Sequence, residues 1–154
     1  MGKITYRRGK NLPARAVGAL FKRTWFYDWL TAKEVAWYLR HALFVASAWD
    51  GRRAVGIAVL TGDGRINVEL DALVVDEDYR RRGIGTTLLE TVVAKAETLK
   101  PHYFQVQVHE KSTERFYAKH GFVRNKGTWL LEHNNVANRL RKRSSKAREH
   151  HARS

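Results

Sequence analysis

The chain of 154 residues has no cysteine, one methionine and only two prolines. Without cysteine there is no disulfide, no thiolate nucleophile and no zinc framework built on thiolates. The two prolines, Pro13 and Pro101, read as boundaries, one starting a helix and one stopping another. Acidic residues are scarce, 15 Asp and Glu against 29 Lys and Arg, for a formal charge of +14. That balance favours anionic partners, from phosphate-bearing small molecules to nucleic acid or acidic protein surfaces. No apolar run approaches the length of a membrane span, so no membrane association is expected. The opening Met-Gly-Lys-Ile-Thr-Tyr-Arg-Arg lacks the apolar stretch of a signal peptide, which makes a cytoplasmic location the expectation. No set of His, Asp and Glu has metal-ligand spacing, and no metal is expected; His102, His120 and the histidines near the end read as surface or structural residues. No internal repeat is visible.

What is present fits one domain with a real core: 44% of residues are hydrophobic, and five are tryptophan. Residues 4–7 read as a strand, and a helix follows from Leu12-Pro13 with Val17, Leu20 and Phe21 at helical spacing. Trp25-Phe26-Tyr27-Asp28-Trp29 is an aromatic link. Thr31-Ala-Lys-Glu34 is a capping box opening a second helix to about residue 41. Strands at 43–49 and 54–61 flank the hairpin signal Asp50-Gly51, and a further strand covers 66–75. A helix at 83–99, a strand at 103–109 and a helix at 112–120 follow. A closing hairpin, 122–124 and 128–132, turns at Asn125-Lys126-Gly127. The predicted order is β-α-α-β-β-β-α-β-α-β-β. Two regions are expected: a domain over residues 1–132 and a polar, basic tail over 133–154. The tail carries seven Lys and Arg against one Glu, so +6 of the net charge lies there and +8 in the body.

The richest segment runs from Asp71 to Glu90. A β-branched run, Leu73-Val74-Val75, ends in an acidic turn, followed by Arg80-Arg81-Arg82, then Gly83-Ile84-Gly85, then the helical Thr86-Thr87-Leu88-Leu89. A helix N-terminus presents unpaired N–H groups and the positive end of a dipole, and so seats phosphate. Glycines there let backbone amides approach an anion without an intervening Cβ. The spacing excludes the Walker A loop, which needs four residues between its glycines and a following Lys. It also excludes the dinucleotide fingerprint, because Leu88 stands where the third glycine belongs. What remains is Arg80-x-x-Gly83-x-Gly85. A second block, Glu114-Arg-Phe-Tyr-Ala-Lys-His-Gly-Phe122, pairs Phe116-Tyr117 on a helix with an exit at Gly121-Phe122, where Gly121 suits a left-handed helix end.

Over residues 4–132 these two blocks, in this order, resemble the GNAT superfamily of N-acetyltransferases, whose pyrophosphate loop reads Gln/Arg-x-x-Gly-x-Gly/Ala. The resemblance implies a mixed α/β fold: a mostly antiparallel twisted sheet of about seven strands flanked by about four helices. It implies acetyl-CoA as cosubstrate and direct attack by a primary amine in a ternary complex. Main-chain groups of Leu73, Val74 and Val75 would pair with the pantetheine amides. Arg80 and the backbone of Arg81, Arg82, Gly83, Ile84, Gly85 and Thr86 would hold the diphosphate. Tyr117 matches the family tyrosine near the thioester sulfur, contacting cofactor and serving as proton donor to the departing thiolate. Many members carry an asparagine before the fourth helix; this chain has His109-Glu110-Lys111 instead.

Attack by an amine also needs a base. Alternation along a strand puts Glu69, Asp71 and Leu73 on one face and Leu70, Ala72 and Val74 on the other. The strand is similar to that of serotonin-type arylalkylamine N-acetyltransferases, which carry His-x-His at the positions of Glu69 and Asp71. Either carboxylate is a candidate base, directly or through water, and desolvation would make it a better one. The acceptor region of the fold falls on the aromatic link, where Trp25, Tyr27 and Trp29 could line a pocket and Asp28 attract a cation. The acceptor is an amine, of a small molecule or a protein, and the chain a monomer or homodimer. An alternative class is a nucleic-acid- or ribosome-associated module using Arg139, Arg141, Lys142, Arg143, Lys146 and Arg148, with or without acetyl transfer. A third is a CoA-binding regulator without catalysis.

Overall fold

The structure, a computed structural model, describes residues 2–124 and, as backbone, 130–133. The turn at Asn125-Lys126-Gly127 and the tail from 134 onward, with its six basic residues named above, lie outside the described residues. Strands β1 (Ile4–Arg8), β2 (Phe44–Asp50), β3 (Arg53–Gly62), β4 (Asn67–Val75), β5 (Tyr103–Gln107), β6 (Phe122–Arg124) and β7 (Leu130–His133) form one sheet in the order β1-β2-β3-β4-β5-β7-β6. Every pairing is antiparallel except β4 with β5. Helices α1 (Ala14–Thr24) and α2 (Ala32–His41) cover one face; α3 (Ile84–Leu99) and α4 (Lys111–Ala118) belong to the other. The predicted order holds, with shifts of a few residues at the ends: the strand expected at 103–109 stops at Gln107, and the last helix starts at Lys111.

Local chemistry accounts for the elements. In α2 the predicted capping box closes, with the Thr31 amide donating to Glu34 Oε2 at 2.7 Å and the Glu34 amide to Thr31 Oγ1 at 3.2 Å. β3 sits mid-sheet, and its Ala54–Leu60 stretch is wholly buried, as a strand covered on both faces must be. α3 lies close on the sheet because Gly56 of β3 has no side chain: a Cβ there would sit 3.0 Å from both Ile84 and Leu88. Leu88, Leu89, Val92 and Ala96 are fully buried on that face, while Val17, Leu20, Phe21 and Val35 fill the other. Each large apolar side chain so buried contributes roughly 1.5–3 kcal/mol, an upper figure because the unfolded chain is already partly collapsed. Among the described residues no helix is long and apolar enough to cross a membrane.

Two irregularities in the sheet build the site. First, β4 pairs with β5 only from Asn67 to Leu70, so its last five residues, Asp71 to Val75, offer that edge to no described strand. Second, β3 and β4 change register between Val59 paired with Ala72 and Leu60 paired with Leu70, leaving Asp71 as the unmatched residue of a bulge. The bulge corrects the expected alternation. Val68 and Leu70 pack toward α3, but Ala72 and Val74 pack toward α1 and α2, and Leu73 returns to the α3 side. Leu73 therefore faces away from Asp71, because one extra residue reverses every later side chain.

Candidate active site

The gap beside the free edge of β4 opens into a cleft of about 810 Å³. Leu73, Val74 and Val75 form one wall; Arg80, Arg81, Gly83, Ile84, Gly85 and Thr86 form the end; Tyr117 and Phe116 of α4 close the other side. Gly83 is the N-cap of α3 at φ +76°, and no side chain caps that helix. The first-turn amides of a helix have no partner in its ladder, so this end presents free N–H donors and the positive dipole end to the cleft. Arg81 also holds a positive φ, +61°, a backbone state that costs a non-glycine residue about 1 kcal/mol or more. A Cβ on Gly83 would meet nothing within 4 Å, so only its backbone conformation, not space within the protein, demands glycine. An uncapped, glycine-led helix end beside an unpaired strand edge fits a diphosphate attached to an amide-bearing arm. The amides would hold the phosphates and the edge would pair the arm as a strand pairs a peptide.

The loop is anchored from below by Asp76, which is 1% exposed. Arg23 Nε and an Arg53 terminal nitrogen each donate to its Oδ2 at 2.7 Å, and the Asp78 amide donates to Oδ1 at 3.1 Å. Burial alone would raise this carboxyl, but the bonds from Arg23 and Arg53 outweigh it and bring the pKa down to about 2. One buried carboxylate thus ties the end of α1, the start of β3 and the turn before the Arg80–Gly85 loop. Tyr79, in that turn, donates to Asp50 at 2.7 Å, and the Arg82 guanidinium lies 5.5 Å from its ring centre. Arg82 does not line the cleft, unlike Arg80 and Arg81.

On the α1–α2 side, a second pocket of about 440 Å³ is lined by Tyr27, Trp29, Leu30, Glu34, Trp37, Tyr38, Thr61 and Asp71. The Tyr27 and Tyr38 hydroxyls both donate to Asp71 Oδ2, at 3.0 and 2.6 Å. Burial and then the Asp71 charge push the Tyr27 phenol up to about 12, and burial with the bond to Asp71 raises Tyr38 further. Both phenols are therefore neutral donors at ordinary pH. Their rings pack edge-to-face at 5.6 Å, and each meets Phe21 in the same way, at 6.1 and 6.2 Å. This cluster holds a link in which Trp25 and Tyr27 both carry positive φ, +59° and +49°. Glu69 is half-buried on the same face; burial, then the Asp71 charge, raises its carboxyl above the usual range.

Tyr117 is 9% exposed, and burial pushes its phenol up to about 12. Of the four residues expected at an acceptor site, Tyr27 and Trp29 line the second pocket; Asp28 does not, and Trp25 is 78% exposed outside it. Sequence reasoning missed Trp37, Tyr38 and Glu34. Their signal was present in the amphipathic α2: Glu34, Trp37 and Tyr38 stand three and four residues apart, on neighbouring rows of one helix face. His109 is not among the residues lining the cleft, whereas Glu110, Ser112 and Thr113 are.

A helix end open to phosphate beside a splayed strand edge is the arrangement of an acyl-CoA-dependent transferase fold. The acetyltransferase (GNAT) family profile matches residues 14–122, and the chain belongs to that family. It resembles a GNAT-family acetyltransferase of Streptococcus pneumoniae, with a TM-score of 0.67 and 25% identity over 79% of this chain and 88% of that one. The fold is shared by the PaiA N-acetyltransferase of Thermoplasma acidophilum, solved in complex with coenzyme A, with a TM-score of 0.61 and 16% identity over 84% of this chain and 98% of that one. The mycothiol acetyltransferase of Clavibacter michiganensis is 44% identical over 55 residues, which are 36% of this chain and 17% of that protein.

Proposed function

We propose that this chain transfers the acetyl group of acetyl-CoA to a primary amine bound in the aromatic pocket, with Asp71 receiving the amine's proton. The single observation that carries the reading is the bulge at Asp71. It turns that carboxylate into the acceptor-side pocket while the next residues, Leu73 to Val75, line the cofactor cleft. Acetyl-CoA, when bound, supplies an activated acetyl carbonyl and a thiol leaving group. The residues suited to hold it are the free edge of Leu73–Val75, Arg80, Arg81 and the first-turn amides from Ile84 to Thr86.

Amines arrive protonated, and an ammonium is no nucleophile. Asp71 attracts the ammonium and takes its proton, directly or through one water, while Tyr27 and Tyr38 fix its orientation. Glu69 adds negative charge on the same face and serves as the next proton holder. Tyr117 acts at the sulfur end. Its phenol, near 12, lies about 3.5 units above a thiol near 8.5, so full proton transfer to the thiolate would be uphill by about 5 kcal/mol. Tyr117 therefore works as a hydrogen-bond donor to the developing thiolate, and solvent completes the protonation.

The test is titration calorimetry with acetyl-CoA and thiol release on an amine panel, for the wild type and Asp71→Asn. The reading predicts one-to-one binding in both proteins and a drop of about 10²-fold or more in kcat in the variant. Equal turnover by the variant would remove Asp71 from the mechanism.

A further inference from the structure

The aromatic pocket carries a charge pattern opposite to the rest of the molecule. Basic residues outnumber acidic ones nearly two to one in the chain. Yet the pocket lining includes two carboxylates, Asp71 and Glu34, and no Lys or Arg. The two acids come from different elements: Asp71 from the β4 bulge, Glu34 from the first turn of α2. Between them the walls are rings. Trp29 and Trp37 are 70% and 55% exposed, which places them at the mouth, while Tyr27 and Tyr38 stand at Asp71. Trp37 is held by a stacked His41 at 4.1 Å, and Trp29 by the Tyr27 ring at 5.5 Å, so the mouth rings are braced. Glu34 is kept ionised by its capping bond from the Thr31 amide, and only Oε2 is engaged there.

Indole faces attract cations, and a neighbouring carboxylate adds to that attraction. A monoamine needs a single carboxylate, and a purely apolar body needs no second one. A volume of about 440 Å³ lies in the range for small molecules. We infer that the acceptor is a small linear diamine or oligoamine, one ammonium at Asp71 for reaction and the other held at the mouth by Glu34 and the faces of Trp29 and Trp37. This rests on the pocket being the acceptor site of the transfer proposed above. The length of the alkyl spacer sets which diamine bridges the two acids, so turnover should peak within a homologous series.

The experiment uses diamines of three to six carbons, with n-pentylamine as the isostere of 1,4-diaminobutane in which a methyl replaces the second ammonium. Thiol release gives kcat/KM, and tryptophan fluorescence without acetyl-CoA gives binding independently of chemistry. The best diamine should exceed its monoamine isostere by tenfold or more in kcat/KM and show the tighter binding. Glu34→Gln retains a capping side chain and should abolish that preference by raising the KM for the diamine. Trp37→Leu should weaken diamine binding without affecting acetyl-CoA affinity. Equal handling of diamine and monoamine, or a preference that survives Glu34→Gln, overturns the inference. If acetyl-CoA binds but no amine is turned over, the transfer reading fails, and the fluorescence titration still decides whether the pocket prefers dications.

Discussion

Replacing Asp76 by Asn should destabilise the fold in a pH-dependent way that separates charge from shape. The amide is isosteric, so packing is kept, but the negative charge facing two guanidinium groups is lost. The folded carboxyl lies near 2 and the ordinary value near 3.8, a difference just under two units. At about 1.36 kcal/mol per unit this gives at most ~2.5 kcal/mol. Arg23 and Arg53 are 47% and 43% exposed, so water screens part of the interaction, and about 1–2 kcal/mol is the better figure. Because the folded pKa is depressed, the stabilisation is complete above pH ~4 and is lost as pH falls toward 2. Urea unfolding followed by circular dichroism at pH 7, 5, 4 and 3 measures this. The gap between wild type and variant should be steady from pH 7 to 5 and narrow below 4, and the melting temperature at pH 7 should fall by roughly 2–8 °C. A gap that does not change with pH would refute the electrostatic account, and no gap at pH 7 would refute the anchor itself.

Other variants probe the cleft and pocket separately. Gly83→Val places a β-branched residue at φ +76°, so it should weaken acetyl-CoA binding at least tenfold by calorimetry and lower stability by about 1–2 kcal/mol. Tyr117→Phe should reduce kcat by about 10²-fold while leaving acetyl-CoA affinity near wild type, the loss expected for one hydrogen-bond donor aimed at developing charge. Since the folded Tyr117 phenol sits near 12, the wild-type rate should show no alkaline fall from this group between pH 8 and 10. Tyr38→Phe removes the shorter of the two phenol bonds to Asp71 and should lower kcat several-fold in steady-state assays, with little change in KM for acetyl-CoA.

The elements were legible because local signals agreed with the fold. The capping box at Thr31 and Glu34, the prolines at 13 and 101 and the positive φ at Gly121 each do what their chemistry suggests. The uncapped start of α3 at Gly83 was legible for the same reason: glycine spacing and helix start lie within a few residues of chain. The aromatic pocket was harder, because it joins residues more than forty positions apart, as in the bond from Tyr27 to Asp71. An aromatic link announces rings but not which of them turn inward; Trp25 and Trp29 look alike in sequence, yet only Trp29 lines the pocket.

The bulge shows why the remaining part could not be read from periodicity. Strict alternation puts Leu73 beside Asp71 and assigns the proposed cofactor wall and the proposed base to one face. One unmatched residue separates them: Leu73 joins the α3 side, and Asp71 turns toward Tyr27 and Tyr38. Asp71 thus opens on the pocket beside α2, while Leu73, two residues on, lines the cleft beside α3. A regular strand does not make that change of face, and a bulge makes it with a single inserted residue. Deleting Asp71 joins the pairs Val59–Ala72 and Leu60–Leu70 in one regular ladder, so it removes the carboxylate and leaves every other side chain of β4 on its own face. Leu70 and Ala72, 3% and 1% exposed, keep their burial on opposite faces in that ladder. Unfolding midpoints test this: the deletion and Asp71→Asn should lie within about 1 kcal/mol of each other. A deletion that costs several kcal/mol more than Asp71→Asn would mean that the fold needs the bulge itself and not only the buried faces on either side of it.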